Sequence, residues 1–161
     1  IRICLVGSEM CIRDRHTNSA PETITRLLNM GVPAFNVATS VSLVIAQRLA
    51  RKLCENCSEP ANLPEETMLE EGYKHEEIEA AQIMRPVGCD KCNNGYKGRV
   101  GIYEVVRITQ DLQRIIMEGG NSLALADAAK TAGFSTLRQS GLRKAAMGIT
   151  SLEEVNRVTK D

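Results

Sequence analysis

Apolar positions along the chain fall in short bursts, punctuated by glycine, proline and residues that cap helices. Ser19 is a plausible N-cap for the run Glu22-Thr-Ile-Thr-Arg-Leu-Leu-Asn-Met30, with Pro21 in its first turn and Glu22 matched to the positive end of the helix dipole. Gly31 ends that helix, and a second short one starts near Pro33. Ser42-Leu-Val-Ile-Ala-Gln-Arg-Leu-Ala50 is apolar and partly β-branched. Its periodicity fits a buried strand or a continuing helix, and the reading leans to strand for its second half. Leu63 to Ala81 is acidic and predicted helical, starting at Pro64-Glu-Glu with a stop at Gly72. Arg99 to Arg107 is rich in β-branched and aromatic residues and predicts a strand.

Beyond residue 108 the pattern predicts only helices. Thr109 opens one that stops at Gly119-Gly120, and Asn121 or Ser122 caps the next, which ends at Gly133. Ser135 is read as the cap of a third, running to about Met147. Ser151-Leu-Glu-Glu is an S-x-x-E capping box that opens the last. Leu137, Leu142 and Ala145 recur at helical spacing and give a core face.

Composition narrows the possibilities. The chain has 161 residues, 43% of them hydrophobic and 25% charged, as in ordinary globular proteins. With aromatics at 3% and no Trp, the core must be aliphatic. Twenty basic side chains balance twenty acidic ones, which argues against nucleic acid as the partner. No apolar run approaches the ~18 residues of a membrane span. His75, among glutamates, reads as a solvated surface residue.

Six cysteines are placed unevenly. Cys54 and Cys57 form one C-x-x-C pair, and Cys89 and Cys92 a second, with 31 residues between the pairs. Each pair puts two thiolates on one tight turn, and two such turns close a four-sulfur tetrahedral zinc site. The long spacing is tolerable because loop-closure cost grows only logarithmically with length. Four thiolates leave no open position for a reacting water, so the zinc is expected to be structural. The competing readings are disulfides, metal-free thiols and a reactive redox dithiol. Asn93-Asn94-Gly95-Tyr96-Lys97-Gly98 after the second pair is rich in turn formers and predicts a knuckle and hairpin. Its glycines lack the Gly-Lys-Ser/Thr ending of a phosphate loop.

Taken in order, several segments resemble the secretion ATPases, and most closely the type IV pilus assembly branch. They are His16-Thr-Asn-Ser-Ala-Pro-Glu-Thr, Arg26-Leu, Ala46-Gln-Arg-Leu, Leu53-Cys-x-x-Cys and Gly88-Cys-x-x-Cys-x-x-Gly-Tyr-x-Gly-Arg-x-Gly-Ile-Tyr-Glu104. Thr136-Leu-Arg-Gln and Thr150-Ser-Leu-Glu-Glu-Val-Asn-Arg157 close the set, and Asn29-Met-Gly-Val-Pro-Ala-Phe-Asn favours the pilus branch over type II secretion. The retraction ATPases resemble this group but lack the tetracysteine element. The resemblance covers residues 16–161. It implies an α/β fold: the C-terminal remnant of a RecA-like P-loop ATPase domain, a tetracysteine zinc-binding insert and an all-helical tail.

The resemblance further implies a cytoplasmic homohexamer, peripheral to the inner membrane, that hydrolyses ATP with Mg²⁺ and drives pilin assembly through an inner-membrane platform protein. His16 matches the histidine of the family's His box, which would sense the γ-phosphate. Arg26 and Arg48 are candidates for nucleotide or interdomain contacts, with plain salt bridges as the alternative. Cys54, Cys57, Cys89 and Cys92 match the zinc ligands. No G-x-x-x-x-G-K-S/T run occurs within these 161 residues, and Walker B carboxylates are missing too, so the fragment alone is expected to be inactive.

Before His16, the residues Cys4 to Arg15 do not match the family; they resemble the translation of a transposase-type sequencing-library adapter, so 1–15 are expected to be foreign. The expected organisation is then 1–15 non-native, 16–53 end of the ATPase core, 54–108 zinc element with hairpin, and 109–161 helical tail. Alternatives are a type II secretion ATPase fragment and a free-standing zinc-binding interaction module.

Overall fold

The computed structural model of the chain describes residues 19–160. In chain order the elements are α1 (Ala20–Asn29), α2 (Ala34–Ser40), β1 (Leu43–Leu53), β2 (Glu59–Pro60), α3 (Glu65–Glu71) and α4 (His75–Ile78). They continue with β3 (Met84–Arg85), β4 (Tyr96–Arg107), α5 (Gln110–Met117), α6 (Ser122–Thr131), α7 (Leu137–Ala146) and α8 (Leu152–Thr159). β1 pairs with β4, and β2 pairs antiparallel with β3. The Ile108 N–H donates to the Ser42 carbonyl at one end of the β1–β4 ladder, and the Cys54 N–H donates to the Gly95 carbonyl at the other. The rising number therefore meets the falling one, and this pair too runs antiparallel.

The chain forms two compact units that are discontinuous in sequence, whereas the divisions read from the sequence are consecutive. Among the described residues, one holds 19–46 together with 105–134, and the other holds 47–104 together with 135–160. The first unit is built by capped helices. The Ser19 hydroxyl accepts the Glu22 N–H at 3.3 Å, Thr109 accepts from Leu112 at 3.4 Å and Asn121 from Ala124 at 2.9 Å. Each such cap stabilises its helix by about 1 kcal/mol. Their inner faces bury Ile24, Val37, Val106, Leu112, Ile116 and Leu125 in one aliphatic cluster. Each of these large side chains contributes about 1.5–3 kcal/mol.

The second unit packs Met68 and Tyr73 against Leu142, Ala145 and Val155 of α7 and α8. The Tyr73 hydroxyl donates to the Leu142 carbonyl at 3.0 Å, so its buried polar end is satisfied. Glu71, at the end of α3, accepts from Asn156 at 3.1 Å and pairs with Lys160 and Arg138. The Leu53 N–H donates to the Ile149 carbonyl at 2.9 Å, and Thr150 Oγ1 donates to the Arg51 carbonyl at 2.8 Å. The acidic insert thus packs against α7 and α8, the last two helices of the tail.

Several expectations need adjustment. The run from Ser42 to Ala50 is strand almost throughout, from Leu43 to Leu53, and not only in its second half. In the acidic segment from Leu63 to Ala81, Gly72 stops the first helix as expected, and a second, single-turn helix follows at His75–Ile78. Thr136, not Ser135, caps α7: its hydroxyl accepts from Gln139 N–H at 3.3 Å, and the Gln139 side chain accepts from Thr136 N–H at 3.0 Å. At Ser151 only half of the expected capping box forms. Its hydroxyl accepts the Glu154 N–H at 3.1 Å, but the Glu154 carboxylate turns instead to arginines. Among the described residues no helix is long and apolar enough to cross a membrane.

Candidate metal centre

The two cysteine pairs, far apart in sequence, meet in the second unit. β1 delivers the first pair: Cys54 follows its last residue and is fully buried. The chain then folds back, with the Cys57 and Ser58 N–H groups both donating to the Cys54 carbonyl at 3.3 and 3.1 Å. The second pair makes the matching knuckle just before β4. The Cys92 N–H donates to the Cys89 carbonyl at 3.3 Å, and the Cys89 N–H donates to Cys92 Sγ at 3.2 Å. The knuckle closes through two reciprocal bonds of 3.0 Å between the backbones of Asn93 and Tyr96.

Gly95 makes this closure possible. Its φ of +83° is in the left-handed region, and a Cβ there would stand 2.4 Å from Pro86 Cβ and 2.8 Å from Pro86 Cα. Any other residue would meet both backbone strain and a collision.

The four Sγ atoms all lie within 4.8 Å of one another. Cys54 to Cys89 is 4.0 Å, Cys57 to Cys92 is 3.7 Å and Cys89 to Cys92 is 3.6 Å. A zinc ion with bonds of about 2.3 Å to four sulfurs requires sulfur–sulfur edges of about 3.8 Å. A disulfide requires about 2.05 Å, so the competing reading of disulfides does not fit. The cysteines are free thiols held at tetrahedral spacing.

Their acidities are unequal. Burial pushes the Cys57 thiol up to about 12, against the backbone N–H of Gly88 that favours its thiolate. At Cys89 the backbone of Lys91 acts downward, but hydrogen bonding with Cys92 and burial leave the thiol above its ordinary value. At Cys92 burial acts upward, yet the backbone of Cys89, its side chain and the backbone of Gly95 outweigh it and bring the thiol down to about 7. Of these three, Cys92 is therefore the thiol nearest to being a thiolate at neutral pH, the form a metal binds.

The remaining expected site residues do not join this centre. His16 lies outside the described residues. Arg26 stands in the last turn of α1, and Arg48 is half-buried on β1; neither belongs to the cysteine cluster. The sequence reading also missed a second polar assembly. The Glu154 carboxylate, with its side chain wholly shielded from solvent, is gripped by two arginines. Arg51 gives Nε at 3.0 Å, Nη2 at 2.7 Å and its backbone N–H at 2.9 Å. Arg157 gives Nε at 2.8 Å and Nη2 at 2.6 Å. The Arg51 guanidinium lies 4.1 Å from the centroid of the Tyr96 ring, a cation–π contact. The signal was present in Arg51, three residues before Cys54, and in the S-x-x-E motif, but nothing in either names the other.

A family profile described as "Type II/IV secretion system protein" matches residues 5–157. The type IV pilus assembly ATPase PilB of Pseudomonas aeruginosa is 64% identical over 152 residues, covering 94% of this chain and 27% of that protein. PilB of Acinetobacter baylyi is 57% identical over 148 residues, 91% of this chain and 26% of that protein. The type II secretion system protein HxcR of Pseudomonas aeruginosa is 39% identical over 147 residues, 91% of this chain and 27% of its own length. The chain thus spans about a quarter of the length of these relatives.

Proposed function

Because the chain belongs to the type II/IV secretion system protein family, we propose that it is the C-terminal part of a cytoplasmic ATPase that powers type IV pilus assembly. The observation that carries this reading is the identity of 64% and 57% to the two PilB proteins named above, against 39% to HxcR. In this reading the described first unit is the last portion of a RecA-like domain, and the ATP and Mg²⁺ site is completed by sequence outside these 161 residues. The parent works as a homohexamer against an inner-membrane platform protein. His16 senses the γ-phosphate, and Arg26 and Arg48 make nucleotide or interdomain contacts.

The tetracysteine centre holds one structural zinc ion through Cys54, Cys57, Cys89 and Cys92. The sulfur spacing supports this, as does the all-thiolate donor set. Zinc supplies folding energy here: it pins the end of β1 to the start of β4 and so holds the acidic insert against the tail helices. No step of ATP hydrolysis passes through it.

Two experiments test the proposal. The intact gene, placed in a strain lacking its pilus assembly ATPase, is expected to restore surface pili. Failure there, with rescue of a strain lacking its type II secretion ATPase, would reassign the protein to secretion. The purified 161-residue chain is expected to show no ATP turnover, and turnover that survives repurification would overturn the reading of it as an incomplete motor.

A further inference from the structure

Beside the tail, in the second unit, lies an open cleft of about 430 Å³ lined by Leu49, Ala50, Arg51, Arg99 and Arg157. Three arginines line this small space. Glu154 is the carboxylate that faces two of them, so the group keeps two positive charges in excess. Glu154 has no capacity left: its two oxygens already accept five hydrogen bonds from Arg51 and Arg157. Arg51 and Arg157 spend Nε and Nη2 on it, which leaves the Nη1 donors of both without an acceptor among the described residues. Their side chains are 45% and 57% exposed. Arg99 forms no ion pair among the described residues and brings its whole donor fork.

Two of the three forks are held in place before any ligand arrives. Glu154 fixes the plane of Arg157, and Glu154 and the Tyr96 ring together fix that of Arg51. A ligand that engages them loses little side-chain entropy in doing so. Planar forks carrying unsatisfied donors match tetrahedral oxyanions, which accept two parallel N–H bonds from each guanidinium. The excess of two charges matches a dianion, and phosphate monoesters are mostly dianionic above their second pKa of about 6.

We propose that the Arg51–Arg99–Arg157 cleft is a binding site for a dianionic phosphate group. The chemistry recognised is the phosphate itself, whether free, on a nucleotide or on an anionic lipid headgroup.

The test uses the full zinc-loaded chain, with inorganic phosphate titrated calorimetrically while chloride holds the ionic strength constant. The expected result is saturable binding at one site per chain, with none for chloride. Arg99→Ala, which removes an exposed side chain without an ion pair, is expected to fold normally and to weaken phosphate binding roughly tenfold, the loss of one charge-assisted pair. Arg99→Lys, which keeps the charge but not the fork, should fall between. Arg85→Ala, at an exposed pair with Glu59 away from the cleft lining, should bind as the unaltered chain does. ADP and vesicles of phosphatidic acid, against phosphatidylcholine, identify the source: the carrier that binds more tightly than inorganic phosphate and loses that advantage in Arg99→Ala is the one the cleft takes. Phosphate binding more tightly than either carrier assigns the free ion. The proposal is overturned by an absence of saturable binding up to about 10 mM phosphate, by equal binding in Arg99→Ala, or by binding of a polyglutamate peptide where phosphate does not bind.

Discussion

Replacing Glu154 by Gln keeps the shape of the side chain and removes its charge, and the structure sets the size of the effect. Burial alone would raise this carboxyl. The Arg157 and Arg51 guanidinium groups and the Arg51 N–H reverse that and hold it at about 2, against an ordinary 4.5. At about 1.36 kcal/mol per pH unit, that gap is worth roughly 3 kcal/mol to the folded state. Both arginines remain partly in solvent, which screens them and brings the expectation nearer 2 kcal/mol. With a urea slope of about 1–2 kcal/mol/M for a unit this small, Glu154→Gln should lower the unfolding midpoint by about 1–2 M.

The pH dependence has a definite sign. A carboxyl depressed in the folded state stabilises it fully above its unfolded pKa, and loses that contribution as pH falls toward 2. The gap between unaltered chain and variant should thus be widest near neutrality and shrink steadily below pH 4–5. Taking the difference cancels what both proteins share, including protonation of the cysteines in acid. In a double-mutant cycle, Arg157→Gln in the Glu154→Gln background should cost less than in the unaltered chain. A gap below roughly 0.5 kcal/mol at pH 7, which is the level of an ordinary surface change, would refute the argument. A gap that stays constant between pH 7 and pH 3 would refute it equally.

Three further outcomes follow from the metal centre. Gly95→Ala should destabilise the chain by roughly 2–4 kcal/mol and lower its retention of zinc against a competing chelator, because strain and the collision with Pro86 add; Gly98→Ala, at the same φ with open space around it, should cost only about 1 kcal/mol. In metal-stripped protein at pH 7, mass spectrometry after brief iodoacetamide treatment should find Cys92 alkylated before Cys57, and the reverse order would contradict the assigned acidities. Elemental analysis should find one zinc per chain, lost in Cys54→Ser; its removal should expose the amides of Leu53 and Cys54 to hydrogen exchange while those of α1 and α5 stay protected, and uniform loss across both units would show that the metal stabilises more than its own unit.

Local signals in the sequence were strong where a few neighbouring residues decide the outcome. Ser19, Thr109 and Asn121 cap the helices they precede, because a cap needs only a side chain three residues from the N–H it accepts. The cysteine pairs were legible for the same reason: each knuckle is local, and metal chemistry supplies the pairing. What was illegible depended on distant partners. The reading leaned to strand only for the second half of Ser42–Ala50, whereas the ladder with β4, whose partners lie about fifty residues away, makes Leu43–Leu53 strand throughout. Glu154 obeys the spacing of a capping box, yet its carboxylate answers to Arg51, 103 residues earlier. Ser135 and Thr136 are equally good caps by type, and the reciprocal bond from Gln139 selects the second.

The discontinuous construction of the second unit has an evolutionary corollary. Residues 46 and 105 lie near-opposite on antiparallel strands, as the bond from Ile108 to Ser42 requires. Everything from 47 to 104 therefore leaves and re-enters the first unit at neighbouring points, the geometry at which insertions are gained or lost most readily. The terminal helices are not free to ignore such an event. Leu142 and Val155 are buried against Met68 and Tyr73 of that insertion, and Glu154 needs its Arg51. A lineage that deleted 47–104 would have to rebuild or discard the residues after 134, so the two segments should be inherited together or lost together.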